Sequence, residues 1–213
     1  MKLSTNFVKD YVDIDVDLHT LAEDMTKAGS EYDSAEKLVS ATNLVIGEIK
    51  ECVDHPDSDH LHLCKVDVGC EVLDIVCGAP NARVGIKVIV ALPGAELPGG
   101  IKIKAGKIRG AESNGMMCAL YEIGIDKKFL SEADKNGICE LPDSAVPGED
   151  PIKFLGLDDG VIDFDLTANR GDLLSIFGIA YEIGAIYDKK LKQEVDVFHK
   201  ESARRTRGAV ALT

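Results

Sequence analysis

The sequence predicts an α+β fold in which a small β-barrel is inserted into a split domain of helices and strands. Apolar residues recur at helical spacing near the start of the chain and again after residue 172. Between these stretches, short β-branched runs alternate with turn residues. The helices at the two ends are amphipathic, so each needs a partner that buries its apolar face. Because domain termini often lie close together, insertion of the β-rich part between them is tolerated.

Residues 1–38 are predicted to form helices followed by a strand, the first part of the split domain. Ser4 and Thr5 are common N-cap residues, and apolar side chains follow them at helical spacing. A clearer helix is predicted after Asp17, and Gly29 is placed to end it in the left-handed conformation. Its apolar positions are Leu18, Leu21, Ala22 and Met25.

Residues 39–150 are predicted to form the barrel. Prolines next to aspartate, asparagine or glycine separate its strands, as is typical of turns. Five or more short strands in roughly 100 residues match the size of an OB-type barrel, whereas a sandwich usually has more strands. The five β-branched runs are LVIGEIKEC, LHLCKVDVG, VLDIVCG, IKVIVAL and IKIKAGKIRG.

The second part of the split domain is predicted over residues 151–190. A loop with three prolines, PDSAVPGEDP, marks its start. A strand over 161–166 follows, and then a turn in which we expect Arg170 to pair with an aspartate, with a contact to another subunit as the alternative. Asp172 is a favoured N-cap residue, so we expect it to begin a last helix of about four turns.

The tail, residues 191–213, is predicted to be a linker or the start of a further domain. It contains the basic stretch ESARRTRG and ends in AVALT, which has the pattern of an opening strand without a partner. We therefore expect the chain to be a piece of a longer protein.

Composition excludes several classes of protein. Lys and Arg total 24 against 37 Asp and Glu, and the resulting net charge of −13 argues against binding nucleic acid by bulk charge. A hydrophobic fraction of 45% is too high for wholesale disorder. No apolar run is long enough to span a membrane, and the N-terminus lacks the apolar segment of a signal peptide. We therefore expect a cytoplasmic location, with the six cysteines reduced.

One segment of this acidic chain, residues 97–111, is locally basic and contains no acid. Its four cations are Lys102, Lys104, Lys107 and Arg109. If the segment is one alternating strand, Lys102 and Lys104 share one face, while Ile101 and Ile103 are buried on the other. Such a stripe binds phosphates through Coulomb attraction and counterion release. The alternative is an edge strand whose lysines protect it against aggregation.

The loop that follows, residues 112–116, offers small polar groups at a turn. Ser113 and Asn114 supply short donors and acceptors, and Gly115 permits close approach of a backbone. These groups suit contacts to sugar hydroxyls or base edges of unpaired RNA. An ordinary turn whose side chains bind their own backbone is the alternative.

Aromatic side chains are scarce in the predicted barrel, where only Tyr121 and Phe129 occur. Single-strand binders of the OB type usually stack bases on several aromatic rings. We therefore predict recognition of the shape and backbone of a folded RNA rather than readout of its sequence.

A zinc site is a weaker hypothesis, and no catalytic residue is assigned. The cysteines and histidines that could bind zinc lie close together in the sequence, but they lack the paired short spacings of structural zinc sites. This favours the interpretation that they are buried thiols and surface imidazoles. The sequence contains neither a glycine-rich phosphate loop with its lysine nor a nucleophile elbow. The potential zinc ligands are Cys52, His55, His60, His62 and Cys64.

An ordered series of motifs in the β-rich part resembles the tRNA-binding OB module of several aminoacyl-tRNA synthetases and of free-standing tRNA-binding proteins. The resemblance implies that the loop ending at Met116 belongs to the binding face, beside the basic segment. The site residues predicted on this basis are Lys102, Lys104, Lys107, Arg109, Ser113, Asn114, Gly115 and Met116. The motifs are HPDSD, LCKVDVG, IVCGAPN, VALPG, KIRG and ESNGMMC, in that order over residues 55–118.

The flanks resemble the split N-terminal domain of the bacterial phenylalanyl-tRNA synthetase β subunit. The stretches LSTNFVKDYVDID and FDLTANRGDLLS carry this likeness, which extends over residues 1–190. The sequence departs from the family pattern in having His60 in place of a lysine and Gly171 in place of a proline.

The resemblance implies a ligase that attaches phenylalanine to tRNA(Phe) as an α2β2 heterotetramer with the synthetase α subunit. The full enzyme would use ATP and Mg²⁺, whereas this part of it would bind tRNA without catalysing, need no cofactor, and contact neither DNA nor a membrane. Two alternatives remain open. One is a free-standing tRNA-binding or chaperone-like OB protein, and the other is a structural scaffold for subunit assembly with weak affinity for RNA.

Overall fold

The computed structural model describes residues 1–192, which form two compact units. One unit comprises Met1–Ser34 and the described residues from Ile162 onward, and the other comprises Ala35–Val161. The interpretation of residues 191–213 as a linker or a further domain lies outside the described residues, except at its first two positions.

The two units contain thirteen short strands and five helices among the described residues. The strands are β1 (Lys2–Ser4), β2 (Glu31–Lys37), β3 (Leu44–Asp54), β4 (His62–Asp67), β5 (Val72–Cys77), β6 (Lys87–Ala91), β7 (Glu96–Leu97), β8 (Ile101–Lys102), β9 (Gly106–Ile108), β10 (Ala111–Ser113), β11 (Met116–Cys118), β12 (Glu140–Leu141) and β13 (Gly160–Asp165). The helices are α1 (Thr5–Lys9), α2 (Leu18–Lys27), α3 (Glu132–Lys135), α4 (Pro151–Phe154) and α5 (Ile176–Ile186).

The first unit packs its helices with a three-stranded sheet of order β1–β13–β2. The helix predicted after Asp17 is confirmed as α2, because the Asp17 carboxylate accepts hydrogen bonds from the backbone N–H groups of His19 and Thr20. The Tyr187 hydroxyl, at the end of α5, donates to the Asp24 carboxylate of α2 at 2.9 Å. The core of this unit includes the fully buried Leu3, Leu21, Met25, Phe164 and Ile179.

The last helix begins later than predicted. Asp172 is not its N-cap, because residues Gly171–Leu173 form a 3₁₀ turn and the side chain of Ser175 accepts the capping bond from Gly178 N–H. The Asp172 carboxylate instead binds the Arg170 guanidinium at 3.0 Å, which confirms the expected pairing in this turn. The same guanidinium reaches Glu182 of α5 at 2.9 Å, so the turn is tied to the helix that follows.

The second unit contains a curled, half-barrel sheet of order β11–β6–β3–β4–β5, with β12 also paired to β6. The neighbouring strands of this sheet pair in antiparallel register. Strand β3 is the longest, and its register with β4 shifts between Ile49 and Glu51, an irregularity that increases local bending and twist. The fold is therefore mixed α and β, as predicted at this coarse level.

Aliphatic side chains cover both faces of the middle of this sheet. Ile89 and Ala91 of β6 belong to one buried cluster, and Val88 and Val90 belong to the other. This strand is buried on both faces, which explains why its sequence, VIVA, is continuously apolar rather than alternating. The two clusters meet across β3 and β6, which together form the centre of the unit.

None of the helices within residues 1–192 is long and apolar enough to cross a membrane.

Gly47, in the middle of β3, provides a test of this packing. A Cβ added there would lie 2.7 Å from Val66 Cγ1 and 2.7 Å from Val90 Cγ2, in a place where both neighbours are buried. We expect Gly47→Ala to lower the free energy of unfolding by about 1–3 kcal/mol, since the sheet must shift to relieve the overlap. Urea unfolding measures the change.

Gly106→Ala is the matched control, because no atom lies within 4 Å of the added Cβ. Its unfolding free energy should stay within about 0.5 kcal/mol of the parent. Equal effects of the two substitutions would contradict the close packing at Gly47.

Candidate nucleic-acid interface

The basic segment folds as short hairpins rather than as one alternating strand. Strand β7 pairs with β8, and β9 pairs with β10, each in antiparallel register. Between β7 and β8 the chain turns at Gly99 and Gly100, both with positive φ, which glycine adopts readily. Ile101 is 58% exposed, so the predicted row of buried isoleucines is wrong at this position, while Ile103 is buried.

Lys102 is partly neutralised by an acid just outside the segment. Glu96 of β7 lies directly opposite Lys102 of β8, and their side chains form an ion pair at 2.5 Å. This hydrogen bond raises the pKa of Lys102 and lowers the pKa of Glu96. The positive charge offered to a ligand is therefore smaller than the four cations suggest, a reduction that only the cross-strand register reveals.

Lys104 and Lys107 are exposed, and within residues 1–192 neither forms an ion pair. Arg109 is exposed as well, and its Nη1 donates to the backbone carbonyl of Asp57 at 2.9 Å. This bond uses one of the five donors of the guanidinium and leaves the others for a ligand. The three cations therefore remain the strongest candidates for phosphate contacts.

The loop between β10 and β11 is held in place by two of the predicted site residues. The buried Ser113 hydroxyl accepts from Val76 N–H at 3.2 Å and donates to the Gly115 carbonyl at 3.3 Å. A Cβ at Gly115, whose φ is +151°, would lie 2.9 Å from the Ala91 carbonyl oxygen. The Ser113 side chain is thus used by the fold, as the alternative of a self-supporting turn predicts.

Asn114 and Met116 are the members of this loop that keep partly exposed side chains. The Asn114 backbone N–H donates to the Asp74 carbonyl at 2.8 Å, which fixes the position from which its side chain projects. Residues that hold the loop in place, at 113 and 115, therefore alternate with residues whose side chains are partly exposed, at 114 and 116.

A cleft of about 600 Å³ lies beside this loop, within the range typical of ligand pockets. Sequence patterns do not predict this cleft, because its walls come from segments that are far apart in the chain. Lys127 Nζ lies 4.1 Å from the centroid of the Tyr121 ring, which is a cation–π contact. The cleft is lined in part by Ile108, Met116, Tyr121, Glu122 and Asn136.

Glu122 brings a half-buried carboxylate to this cleft. Burial raises its pKa, and this effect is opposed by a hydrogen bond from Ala119 N–H at 2.7 Å and by the charge of Lys127. The carboxylate accepts that backbone bond through Oε2, so it contributes to the turn after β11 as well as to the wall of the cleft.

The residues considered for zinc have local partners. His55 Nδ1 accepts from Asp57 N–H at 3.0 Å, and the imidazoles of His60 and His62 lie 2.9 and 3.2 Å from neighbouring aspartates. Among the described residues, no three His, Cys, Asp or Glu side chains are grouped so as to hold a metal ion.

Comparison with known proteins relates the chain to one family and to a set of longer relatives. A family described as "Putative tRNA binding domain" matches residues 44–150. The phenylalanine–tRNA ligase β subunit of Lactiplantibacillus plantarum is 47% identical over 192 residues, which cover 89% of this chain and 24% of that protein. The corresponding subunit of Streptococcus pneumoniae is 48% identical over 190 residues, with the same coverage. The chain thus spans about a quarter of the length of the curated relatives it matches.

Among solved structures, the C-terminal domain of Plasmodium vivax p43 is 25% identical. The alignment covers 50% of this chain and 57% of that one, with a TM-score of 0.35, which is too low to carry an argument about the fold.

The role of Ser113 as a support leads to a stability prediction. Ser113→Ala leaves the Val76 N–H without its partner in a buried position, so the free energy of unfolding should fall by about 1–3 kcal/mol. Glu112→Ala, at the exposed neighbouring position, should change it by less than about 0.5 kcal/mol. Urea denaturation distinguishes the two, and a neutral Ser113→Ala would contradict the supporting role.

Glu122 leads to a prediction about pH. Because its pKa is raised in the folded state, that state binds the proton more tightly, and the unfolding free energy falls as pH rises from the usual glutamate value through the raised one. Glu122→Gln removes this loss, so the variant should gain stability relative to the parent over that range. Urea unfolding at a series of pH values measures the difference.

Glu149→Gln offers a control, since it makes the same change of side chain at an exposed position outside the cleft. A difference between Glu122→Gln and the parent that does not change with pH would contradict the assigned cause.

Proposed function

Because the chain belongs to the tRNA-binding domain family through residues 44–150, we propose that it binds tRNA as part of the β subunit of a phenylalanine–tRNA ligase. One observation carries the proposal at the level of residues. Lys107 and Arg109 are exposed on the β9–β10 hairpin, and Lys104 is exposed in the segment before it, next to a loop whose shape is fixed by Ser113 and Gly115. Exposed cations of this kind contact phosphates, and contact with phosphates supplies much of the affinity for nucleic acid.

The activity of the whole enzyme is proposed from the longer relatives. They are phenylalanine–tRNA ligase β subunits, which supports a cytoplasmic α2β2 assembly with the synthetase α subunit and tRNA(Phe) as the bound RNA. In this proposal ATP and Mg²⁺ serve the assembled enzyme at sites elsewhere in it. The part of the subunit formed by this chain contributes binding and no catalytic residue.

We also propose that the architecture is an OB-type barrel inserted into a split domain. The domain boundaries in this proposal are 1–38, 39–150 and 151–190. Support comes from the first unit, in which strands from both ends of the described chain share one sheet. Support for the barrel comes from the curled antiparallel sheet of the second unit, which coincides with the family match.

The mode of binding is proposed to be recognition of RNA shape and backbone. The barrel's two aromatic rings each have a lysine ammonium over the ring, Lys127 on Tyr121 at 4.1 Å and Lys128 on Phe129 at 4.8 Å. A base that stacks on either ring must compete with a cation–π contact. Lysines in these positions favour contacts to phosphates over contacts to bases.

A structural scaffold with weak affinity for RNA remains the second candidate. The ion pair between Lys102 and Glu96 favours it, because the pair reduces the positive charge at the proposed surface. The free-standing tRNA-binding protein is less favoured, since the similarity to β subunits covers 89% of the chain and therefore includes the flanks of the barrel.

Titration with tRNA at several salt concentrations tests the proposal. Phosphate contacts predict a binding constant that falls steeply with salt, whereas the scaffold predicts weak binding with little salt dependence. The double variant Lys104→Ala, Lys107→Ala should reduce the slope of log K against log salt by about 2, about one for each lost phosphate contact.

Lys102→Ala is the matched control, because its charge is already paired with Glu96, and it should change the slope less. Tyr121→Ala should weaken binding less than the double lysine variant does. A larger loss from the tyrosine variant would contradict backbone recognition, and a slope that the double variant leaves unchanged would contradict the assigned phosphate contacts.

A further inference from the structure

Two cysteine thiols face each other across neighbouring strands of the central sheet. Cys52 of β3 and Cys64 of β4 are direct partners in the antiparallel register, and their Sγ atoms are 3.6 Å apart. The register shift in this strand pair lies further back, between Ile49 and Glu51, so the pairing around the two thiols is regular.

The hydrogen-bond pattern places this pair where side chains approach most closely. His55 N–H donates to the Leu61 carbonyl, which makes His55 and Leu61 a hydrogen-bonded pair at the end of the ladder. Such pairs alternate with non-hydrogen-bonded pairs, so Cys52 and Cys64, three positions along, form a non-hydrogen-bonded pair. Cα atoms in these pairs are about 4.5 Å apart, within the range of about 4.4–6.8 Å that disulfides span.

The remaining thiols of the chain are less well placed. Cys77 of β5 lies opposite His62, not opposite Cys64, so it is offset from the pair by two residues. Cys118 and Cys139 are buried in the other cluster of the unit. Cys70 is exposed and is the thiol most open to intermolecular oxidation.

Exposure sets the order in which the two thiols react. Cys52 is partly exposed, whereas Cys64 is only 2% exposed. Burial raises the pKa of the Cys64 thiol, so this group stays protonated and meets an oxidant poorly. A peroxide therefore reaches Cys52 first, with Cys64 in position as the resolving thiol.

We propose that Cys52 and Cys64 are a modification site, at which a peroxide converts the two thiols into a disulfide that links β3 to β4. The Cys52 thiol loses its proton, its sulfur attacks one peroxide oxygen, and the O–O bond breaks to give a sulfenic acid. The departing hydroxide takes up a proton and leaves as the first water. The Cys64 sulfur then attacks the Cys52 sulfur, the S–S bond forms, and the S–O bond breaks. Hydroxide leaves with the Cys64 proton as water. With hydrogen peroxide, two thiols lose two electrons and two protons, and the peroxide becomes two waters.

The disulfide would lie next to a turn that contacts the candidate interface. The turn closed by His55 and Leu61 includes Asp57, whose carbonyl accepts the Arg109 hydrogen bond. A disulfide between Cys52 and Cys64 would therefore hold together the two strands that flank this turn. The modification rests on the geometry of the sheet and does not depend on the proposed binding of tRNA.

Peptide mapping after oxidation tests the proposal. The full chain with Cys70→Ser, which removes the exposed competing thiol, is treated with hydrogen peroxide and digested without reduction. The expected result is a loss of two hydrogens from the intact mass, a peptide in which Cys52 is joined to Cys64, and recovery of both thiols with dithiothreitol.

Two further variants make the outcome specific. Adding Cys52→Ser, at a partly exposed position, should abolish the intramolecular link, whereas adding Cys77→Ser should leave its rate unchanged. Circular dichroism checks that each variant keeps the parent's fold. Progress of Cys52 to the sulfinic acid with Cys64 still a thiol, or a link from Cys52 to Cys77, would overturn the proposal.

Discussion

Strands β3 and β6 pack side by side in the middle of the second unit, and aliphatic side chains cover both of their faces. Within residues 1–192, the buried members of the two clusters are all non-aromatic, and Phe154 packs against one cluster only as a partly buried residue. Small branched residues must therefore approach each other closely. Gly47 permits this approach, because Val66 and Val90 occupy the space where its Cβ would be. The loops that carry the candidate interface are attached to this centre, and their geometry depends on it.

That attachment explains how an acidic protein presents a basic surface. Residues 39–150 carry a net charge of −7, so long-range attraction to RNA is not a property of the unit as a whole. The cations at 104, 107 and 109 are exposed on the β9–β10 hairpin and the segment just before it, and the loop beside them is fixed to β5 and β6 through Ser113 and Gly115. The candidate interface therefore consists of three exposed cations beside a rigid loop, and it does not need a high overall positive charge.

Local sequence patterns predict those secondary-structure elements that are stabilised by residues close to them in the chain. The helix after Asp17 follows from apolar spacing and a side-chain cap a few residues away. The start of the last helix was misplaced, because Asp172 binds Arg170, and that arginine also binds Glu182, a partner ten residues beyond Asp172. The alternating residues of the basic run predict one strand, whereas pairing of β7 with β8 and β9 with β10 divides it into hairpins. The cleft beside Tyr121 needs distant segments brought together, which periodicity does not encode.

The alternation of supporting and presented residues in the loop between β10 and β11 has a consequence for protein engineering. Ser113 and Gly115 hold the backbone through contacts to β5 and β6, while the side chains of Asn114 and Met116 remain partly exposed. Because Met116 also packs against a buried cluster, a library that varies Asn114 and the exposed Glu112 would sample new contact chemistries on an unchanged backbone. The loop is in this sense a rigid graft site with two variable positions, comparable to a paratope mounted on a stable framework.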